Sequence, residues 1–515
     1  MKVLFVYPNK VMATRIPLGI AYMASYLKRD GHDVRVFDTT FIKCGNVESD
    51  DKLRASSLQV RNPDFAKYGL VEKRTDVFTE FDREIDAFKP DMLAVSIVDP
   101  NYTFGLELLR RAKSRHNILT VAGGATPTLA PDEVINEGCV DIICRGEGEE
   151  ALCELCAALE KGSDIKNIKN LWVKDNGKIH KNDIRPLVNV DEVLWPDWDI
   201  FDERHLLRPL GGKMYRMGIF FTTRGCLFPC KYCANLEFSR MYKDKGKFYR
   251  IKKPELSIRE ISSYKEKYGL DFSFFMDDIF PIHVPEVLDE FCRLYKKEIG
   301  LPFSINIHPA LVKEESFARI VDAGCRNICV GLESGSPGIR NKVLGRTYDN
   351  DLIVRIFELA RKHKIRSSSF NLIGLPHETR NDIFQTIELN RRARPTTTTL
   401  AFFHPYRGTE LRDLCIKERL FSPEKEKEYE SVTRVQSLLK LPQISGKTLN
   451  GIFRTFQLYF KLPKAFYFLI RIAENDSLPG RIAYNMLKGI FYILTYKDLG
   501  WDFSKGQDAK EEAVK

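Results

Sequence analysis

The chain has 515 residues, 43% of them hydrophobic and 29% charged, with a formal net charge of +10. That length holds two or three domains with full cores, and the composition is that of an ordinary globular protein rather than a disordered or fibrous one. The charge is modest for the size and no recognised nucleic-acid module accompanies it, so nucleic acid is not expected as a partner.

In chain order, Lys2–Tyr7 reads as a buried first strand, because the apolar run after Met1 is too short for a signal peptide. Helical runs at Leu18–Asp30, Phe78–Phe88 and Leu106–Ser114 then alternate with strand-like runs at His32–Asp38, Met92–Val98, Ile118–Ala122 and Val140–Cys144. Strands separated by helices predict a doubly wound parallel sheet over residues 1–165. The loops after these strands carry Pro8, Ser96 with Asp99 and Pro100, Gly123-Gly124-Ala125-Thr126, and Arg145-Gly146-Glu147-Gly148-Glu149. Small residues at strand ends let a bulky ligand approach the backbone.

Together with Pro17-Leu18-Gly19-Ile20-Ala21, this pattern resembles the flavodoxin-like cobalamin-binding domain fused to many radical S-adenosylmethionine (SAM) enzymes. The resemblance implies cobalamin as a cofactor, with Pro17, Leu18, Gly19, Ser96, Gly123, Gly124, Thr126, Gly146 and Glu147 around it. The Asp-x-His-x-x-Gly signature of a cobalt-ligating histidine is missing. Asp30-Gly31-His32 starts like it, but position 35 is Arg, so His32 reads as a surface turn residue. Relatives without the signature bind cobalamin without a histidine ligand, and a domain of this fold with an empty crevice is the alternative.

Residues 166–205 read as a linker with a hairpin, Asn170 to His180 turning at Asp175-Asn176-Gly177, and with Trp195 and Trp198 packed between domains. Next, a short apolar run, Met217 to Thr223, reads as a strand followed by three cysteines, Cys226, Cys230 and Cys233. Their thiols project from a loop at a strand's carboxyl end, where ligands bind in folds of parallel strands. Three thiolates are too many for a redox dithiol and one too few for a closed tetrahedral zinc site. A [4Fe–4S] cube held by three cysteines leaves one iron open.

The C-x3-C-x2-C spacing, with Tyr232 before the third cysteine, resembles the radical SAM superfamily. There the open iron is chelated by the amino and carboxylate groups of SAM, and an electron entering the sulfonium makes a 5′-deoxyadenosyl radical. Zinc is the alternative, on which the chain is a non-catalytic zinc-stabilised binding protein. The other cysteines read as core, since free cysteine is among the most buried residue types.

Lys231, Arg240, Lys243, Lys245, Lys247, Arg250, Lys252 and Lys253 cluster just downstream. They read as a solvated loop or as a surface that attracts an anionic substrate or lipid headgroup. Strand-like runs then recur at Phe272–Met276, Ser304–Ile307, Asn327–Gly331, Ser368–Ile373 and Thr397–Phe403. With the strand before the cysteines they make six β/α units, a partial (β/α)6 barrel over residues 206–425 with its active face at the strand carboxyl ends.

The resemblance to the radical SAM core runs through all six units. It implies that Asp277 and Asp278 lie near the SAM amino group, that Glu333 clamps the ribose and that Ile373 packs on adenine. Helix N-terminal charge is the other reading of Glu333. His404 and Tyr406 then lie near the substrate end, where an ordinary hydrogen-bonded role is equally open. Residues 426–515 read as aromatic-rich helices, such as Leu449–Phe460 and Lys464–Ala473, that cover the open side of the barrel and end in a charged tail from Lys505. Interleaved basic and aromatic residues there leave peripheral membrane contact open, but stretches such as Gly489–Tyr496 fall short of the roughly 18 residues a spanning helix needs.

The reading that results is a cytoplasmic radical SAM enzyme that removes hydrogen from an unactivated carbon of a small-molecule or lipid substrate. By resemblance, cobalamin then delivers a methyl group, and a low-potential donor such as flavodoxin or ferredoxin supplies the electron. The alternative is radical chemistry without functional cobalamin, forming C–C or C–S bonds or rearranging the substrate.

Overall fold

The computed structural model describes residues 1–45, 50–60, 64–428 and 436–499; the charged tail expected from Lys505 lies outside them. The first sheet contains strands β1 (Lys2–Tyr7), β2 (Asp33–Asp38), β3 (Met92–Ser96), β4 (Leu119–Gly123) and β5 (Ile142–Cys144), parallel and ordered β2-β1-β3-β4-β5. Helices cover both faces, and the period-2 alternation of a strand divides β1 between two cores. Val3 and Phe5 pack with Ile20, Ala24 and Leu27, while Leu4 and Val6 pack with Phe81 and Leu108. A strand buried on both sides reads as an unbroken apolar run, as Val3–Val6 does.

Two expectations need correction here. The predicted hairpin forms, with β6 (Leu171–Asp175) and β7 (Lys178–Lys181) joined through positive-φ Asn176 and Gly177, but it extends the first sheet antiparallel beyond β5 rather than bridging the domains. His32 sits in a turn yet is 6% exposed, with Nδ1 3.2 Å from the N-terminal ammonium. The tryptophan segment does bridge. The Trp198 ring lies 5.6 Å from Phe220 and 4.4 Å from Tyr264, while Asp197 N donates to Ala21 O in the first domain.

The second sheet contains β8 (Leu207–Leu210), β9 (Lys213–Phe220), β12 (Phe272–Phe275), β13 (Phe303–Ile307), β14 (Cys325–Glu333), β15 (Arg366–Ile373) and β16 (Thr397–Phe402). Between β9 and β12 lies a short antiparallel pair, β10 (Thr223–Arg224) with β11 (Arg250–Ile251). Six strands run parallel from β9 to β16, and β8 adds an antiparallel edge. The sheet curls into a half barrel that is open between β8 and β16.

An open sheet presents unpaired backbone groups at its margins. Here the first domain satisfies both. Thr14 Oγ1 donates to Leu207 O at 2.8 Å on the β8 side, and Leu400 N donates to Gln59 Oε1 at 2.8 Å on the β16 side. The C-terminal helix Gly446–Lys461 supports β16 from outside through a Phe453–Phe402 stack at 4.4 Å and paired Gln457–Thr398 hydrogen bonds. The cover over the open side is therefore shared with the first domain, not supplied by the C-terminal helices alone. Among the described residues, no helix is long and apolar enough to cross a membrane.

Candidate active site

The three-cysteine loop leaves β9 and is fixed at several points. Asp277, at the end of β12, accepts hydrogen bonds from Thr222 N (2.7 Å), Thr222 Oγ1 (3.0 Å), Thr223 N (2.6 Å) and Thr223 Oγ1 (2.9 Å). Gly225 has φ +86°, and a Cβ there would stand 2.4 Å from Phe248 O, so only glycine lets the loop pass the strand beside it. Lys231 N donates to Leu344 O at 3.1 Å, and Leu411 N donates to Lys231 O at 3.0 Å. Cys233 then takes the N-cap position of the helix Ala234–Met241.

Burial pushes the Cys226 and Cys233 thiols up to about 12 and about 11. Coordination by a metal would deprotonate them outright. A single tetrahedral zinc at about 2.3 Å would draw its thiolates to about 3.8 Å of one another. Three thiols on one loop at C-x3-C-x2-C spacing suit three corners of a cube and leave the fourth free.

Around this loop the expected residues divide. Asp277 is fully buried, with both carboxylate oxygens engaged by the two threonines, so it positions the loop and does not reach a ligand. Asp278 is the accessible member of the pair. It is bonded by Asn235, and its charge raises both Cys226 and Cys233. Glu333 sits at a bulge in β14 with φ +61°, a conformation that costs a non-glycine residue about 1 kcal/mol or more and turns its carboxylate toward Tyr232 and Arg346. The Ile373 side chain is fully buried in the core, and its carbonyl accepts from Phe403 N at 2.8 Å.

Two residues unmarked in the sequence join the site. Arg346, 9% exposed, donates from Nε to Cys230 Sγ at 3.4 Å and from Nη1 to Gly331 O (2.7 Å), Tyr348 Oη (3.0 Å) and Glu333 Oε1 (3.3 Å). It thus holds a positive charge against one thiol and ties that thiol to the ribose-clamp candidate. His308, after β13, stacks on Phe228 of the cysteine loop at 3.4 Å and 16°, and burial drives its pKa far down, so the ring stays neutral. The available signal was position alone, since each follows a β/α strand at its carboxyl end.

The carboxyl ends of the first sheet's strands face the same region. Asp99, after β3, accepts from Thr126 Oγ1 (2.8 Å) and from Arg407 N (2.5 Å), and the Arg407 guanidinium also pairs with Glu133 and Glu426. Asp99, His404 and Glu426 bring their ligand atoms within 4.8 Å. Arg407 and Arg412 neutralise both acids, so this is an ion-pair net rather than a cation site.

Gly146, φ +72°, leaves room for Tyr242 Oη to accept from Glu147 N at 2.8 Å; a Cβ would stand 2.0 Å from that oxygen. Glu147 pairs with Arg224 (3.2 Å) and Arg250 (2.5 Å). Burial works to raise its pKa, and the Arg250 and Arg224 partners more than offset it. Gly124 packs against the Ile97 backbone. Glu147, Gly146, Gly124 and Thr126 therefore join protein to protein. Ser96 and Gly123 end β3 and β4, while Pro17 caps the helix Leu18–Arg29 that carries Leu18 and Gly19, and a Cβ on Gly19 would meet nothing within 4 Å.

Beside the Asp99–Arg407 contact, Val98 (42% exposed) and Tyr406 (41%) stand open, and both buried His404 ring nitrogens lack partners.

The fold and site define a class: a flavodoxin-like domain set against a half barrel whose first strand ends in a loop of three open thiols. Residues 220–389 match the family model of the Radical SAM superfamily, and residues 9–156 match the B12 binding domain. An uncharacterized methyltransferase, PH0819, of Pyrococcus horikoshii is 26% identical over 473 residues, covering 90% of this chain and 93% of that one. The anaerobic magnesium-protoporphyrin IX monomethyl ester cyclase of Rubrivivax gelatinosus is 24% identical, covering 90% and 78%. The solved structure of the cobalamin-dependent SAM radical enzyme OxsB, with aqua-cobalamin and SAM bound, shares the fold at TM-score 0.65 and 14% identity, covering 96% of this chain and 72% of that one. The chain belongs to the radical SAM enzymes that carry a B12-binding domain.

Proposed function

We propose that the protein is a cobalamin-dependent radical SAM methyltransferase acting on a carbon held inside the half barrel. One observation carries the reading. The segments after β3, β4 and β5 bond directly to the loops after β9 and β16, through Asp99 and Glu133 to Arg407 and through Glu147 to Arg224 and Tyr242, so the cobalamin-domain crevice and the three-thiol loop open on one region.

When bound, the cluster supplies an electron to the SAM sulfonium and cobalamin supplies a methyl carrier. Cys226, Cys230 and Cys233 would hold three corners, and Arg346 keeps a positive charge on Cys230. Asp278 would accept from the SAM amino group, and Glu333, held by Arg346, would accept from the ribose hydroxyls. Phe228 and His308 wall the loop with an apolar, uncharged stack. First-domain residues around Thr14 and Gln59 close the lumen from the side, which excludes water from a reactive site. A low-potential donor such as flavodoxin or ferredoxin supplies the electron, in the cytoplasm, where thiols stay reduced.

The test uses anaerobic protein reconstituted with iron, sulfide and hydroxocobalamin, given dithionite and SAM carrying a CD3 group. The expected outcome is 5′-deoxyadenosine and a product carrying the label. A product that has lost hydrogen without gaining the label favours ring closure of the kind in the cyclase relative's name. Cys230→Ala is expected to form no 5′-deoxyadenosine while retaining cobalamin's visible absorption. SAM cleavage by that variant overturns the cluster assignment.

A further inference from the structure

The half barrel encloses a cavity of about 630 Å³ whose walls, among the described residues, carry four arginines, Arg15, Arg54, Arg208 and Arg366, and no aspartate or glutamate. Arg366, the first residue of β15, is 5% exposed. Its Nη1 is buried without a hydrogen-bond partner, and among the described residues no carboxylate pairs with it. It lies beneath the β8–β9 turn, where a Cβ on Gly211 would stand 3.2 Å from that nitrogen. Burial without a counter-charge presses its pKa down.

Arg54 Nε is also buried without a partner, while its Nη2 donates to Thr399 Oγ1 at 3.2 Å. The Arg208 guanidinium lies 5.7 Å from the Phe274 ring centroid, and the charges of Arg54 and Arg208 both reach Cys329 in the wall. Neutral donors and acceptors fill the gaps. Asn327 Nδ2 donates to Ser304 Oγ at 2.7 Å, Ser368 and Thr397 share a 2.8 Å hydrogen bond, and Asn327 Oδ1 has no partner.

A guanidinium taken out of water costs several kcal/mol unless a counter-charge offsets it. Among the described residues no carboxylate pairs with Arg366. We propose that the cavity is the substrate site and that the substrate is a phosphorylated or phosphonylated compound whose dianionic group sits among Arg366, Arg208 and Arg54. The proposal deepens the methyltransferase reading and rests on it for the identity of the cavity as the substrate site. One guanidinium fork satisfies a carboxylate, whereas several forks plus hydroxyls match a group with three oxygens and two charges.

Arg366 lies at the amino end of β15, and the carboxyl ends carry the cysteine loop. Seven residue steps at about 3.3 Å separate the ends of that strand by about 23 Å. The reacting carbon is therefore well removed from the phosphoryl group. The basic run from Lys231 to Lys253, the sequence's own candidate anion surface, is largely ion-paired within the protein, through Glu410, Glu237, Glu147, Glu260 and Asp191.

The test titrates inorganic phosphate, methylphosphonate and acetate into the full chain at constant ionic strength, read by calorimetry and thermal melting. Phosphate and methylphosphonate are expected to bind saturably and raise the melting temperature, with acetate weaker. Arg366→Gln and Arg54→Gln are each expected to weaken phosphate binding about tenfold or more, the loss of one charge-assisted hydrogen bond. Arg366→Gln is also expected to melt above the wild type without phosphate, because an uncompensated buried charge is gone.

Arg366 also borders an outer hollow with Arg391 and Arg394, while Arg54 lines the lumen only. A loss confined to Arg366→Gln assigns the anion to the outer hollow and overturns the proposal. No phosphate binding, binding unchanged in Arg54→Gln, or acetate bound as tightly as phosphate overturns it too. If Arg366→Gln does not fold, half-buried Arg54 decides. Phosphate binding in protein that cleaves no SAM leaves the anion site standing and removes the enzyme reading; SAM cleavage without phosphate binding does the reverse.

Discussion

Replacing Asp277 by alanine strips four hydrogen bonds from the root of the cysteine loop. The Thr223 hydroxyl keeps an outlet in Ile279 O at 3.1 Å and the Thr222 hydroxyl can turn, but the backbone N–H groups of Thr222 and Thr223 are left buried. At about 1–3 kcal/mol for each unsatisfied donor, the variant is destabilised by about 4 kcal/mol. Asp277→Asn keeps an oxygen where both backbone donors point and is expected to cost about 1 kcal/mol. Burial raises the Asp277 carboxyl to about 7, so the folded protein holds this proton up to near neutrality, whereas the unfolded chain releases it near pH 4. Its stabilising contribution is therefore complete below pH 4 and lost as pH rises through 7. The advantage of wild type over Asp277→Asn narrows across that window. Urea unfolding followed by the fluorescence of Trp198, which packs on Phe220 of β9, reads all three proteins, and iron uptake on reconstitution reads the loop. An alanine variant with an unchanged midpoint and full iron content would show that the aspartate does not hold the loop, and a parallel pH dependence in the asparagine variant would refute its buried ionisation.

Arg346→Gln removes the positive charge beside Cys230 and is expected to shift the reconstituted cluster's reduction potential more negative, read by redox titration of its reduced paramagnetic signal; an unchanged potential refutes the electrostatic role. Gly146→Ala places a methyl group on the Tyr242 hydroxyl at a left-handed backbone position, and is expected to lower the melting temperature and expose the domain junction to proteolysis. Tyr242→Phe in the same background should recover only part of that loss, because Glu147 N then loses its acceptor.

The strands were legible because parallel strands buried on both faces are continuous apolar runs, as in Val3–Val6 and Phe272–Phe275. The three cysteines were legible because thiol chemistry depends on local spacing. Arg346 and Arg366 were not, because a buried arginine looks like a surface arginine until the fold shows what surrounds it. The ion pairs of Glu147 were hidden for the same reason. Its glycine-rich setting suits a cofactor loop, but the partners that claim it, Arg224 and Arg250, lie 77 and 103 residues away.

Because Ala13, Thr14, Arg54 and Gln59 of the first domain also line the barrel cavity, one module contributes both a cofactor crevice and part of the wall of the cavity proposed for the substrate. Exchanging that module between relatives would alter which molecule is accepted along with which corrinoid is held. Descent within such a lineage is then expected to carry the two specificities as a single inherited trait, and a chimaera that joins halves from separate branches would have neither a sealed reaction chamber nor a matched guest.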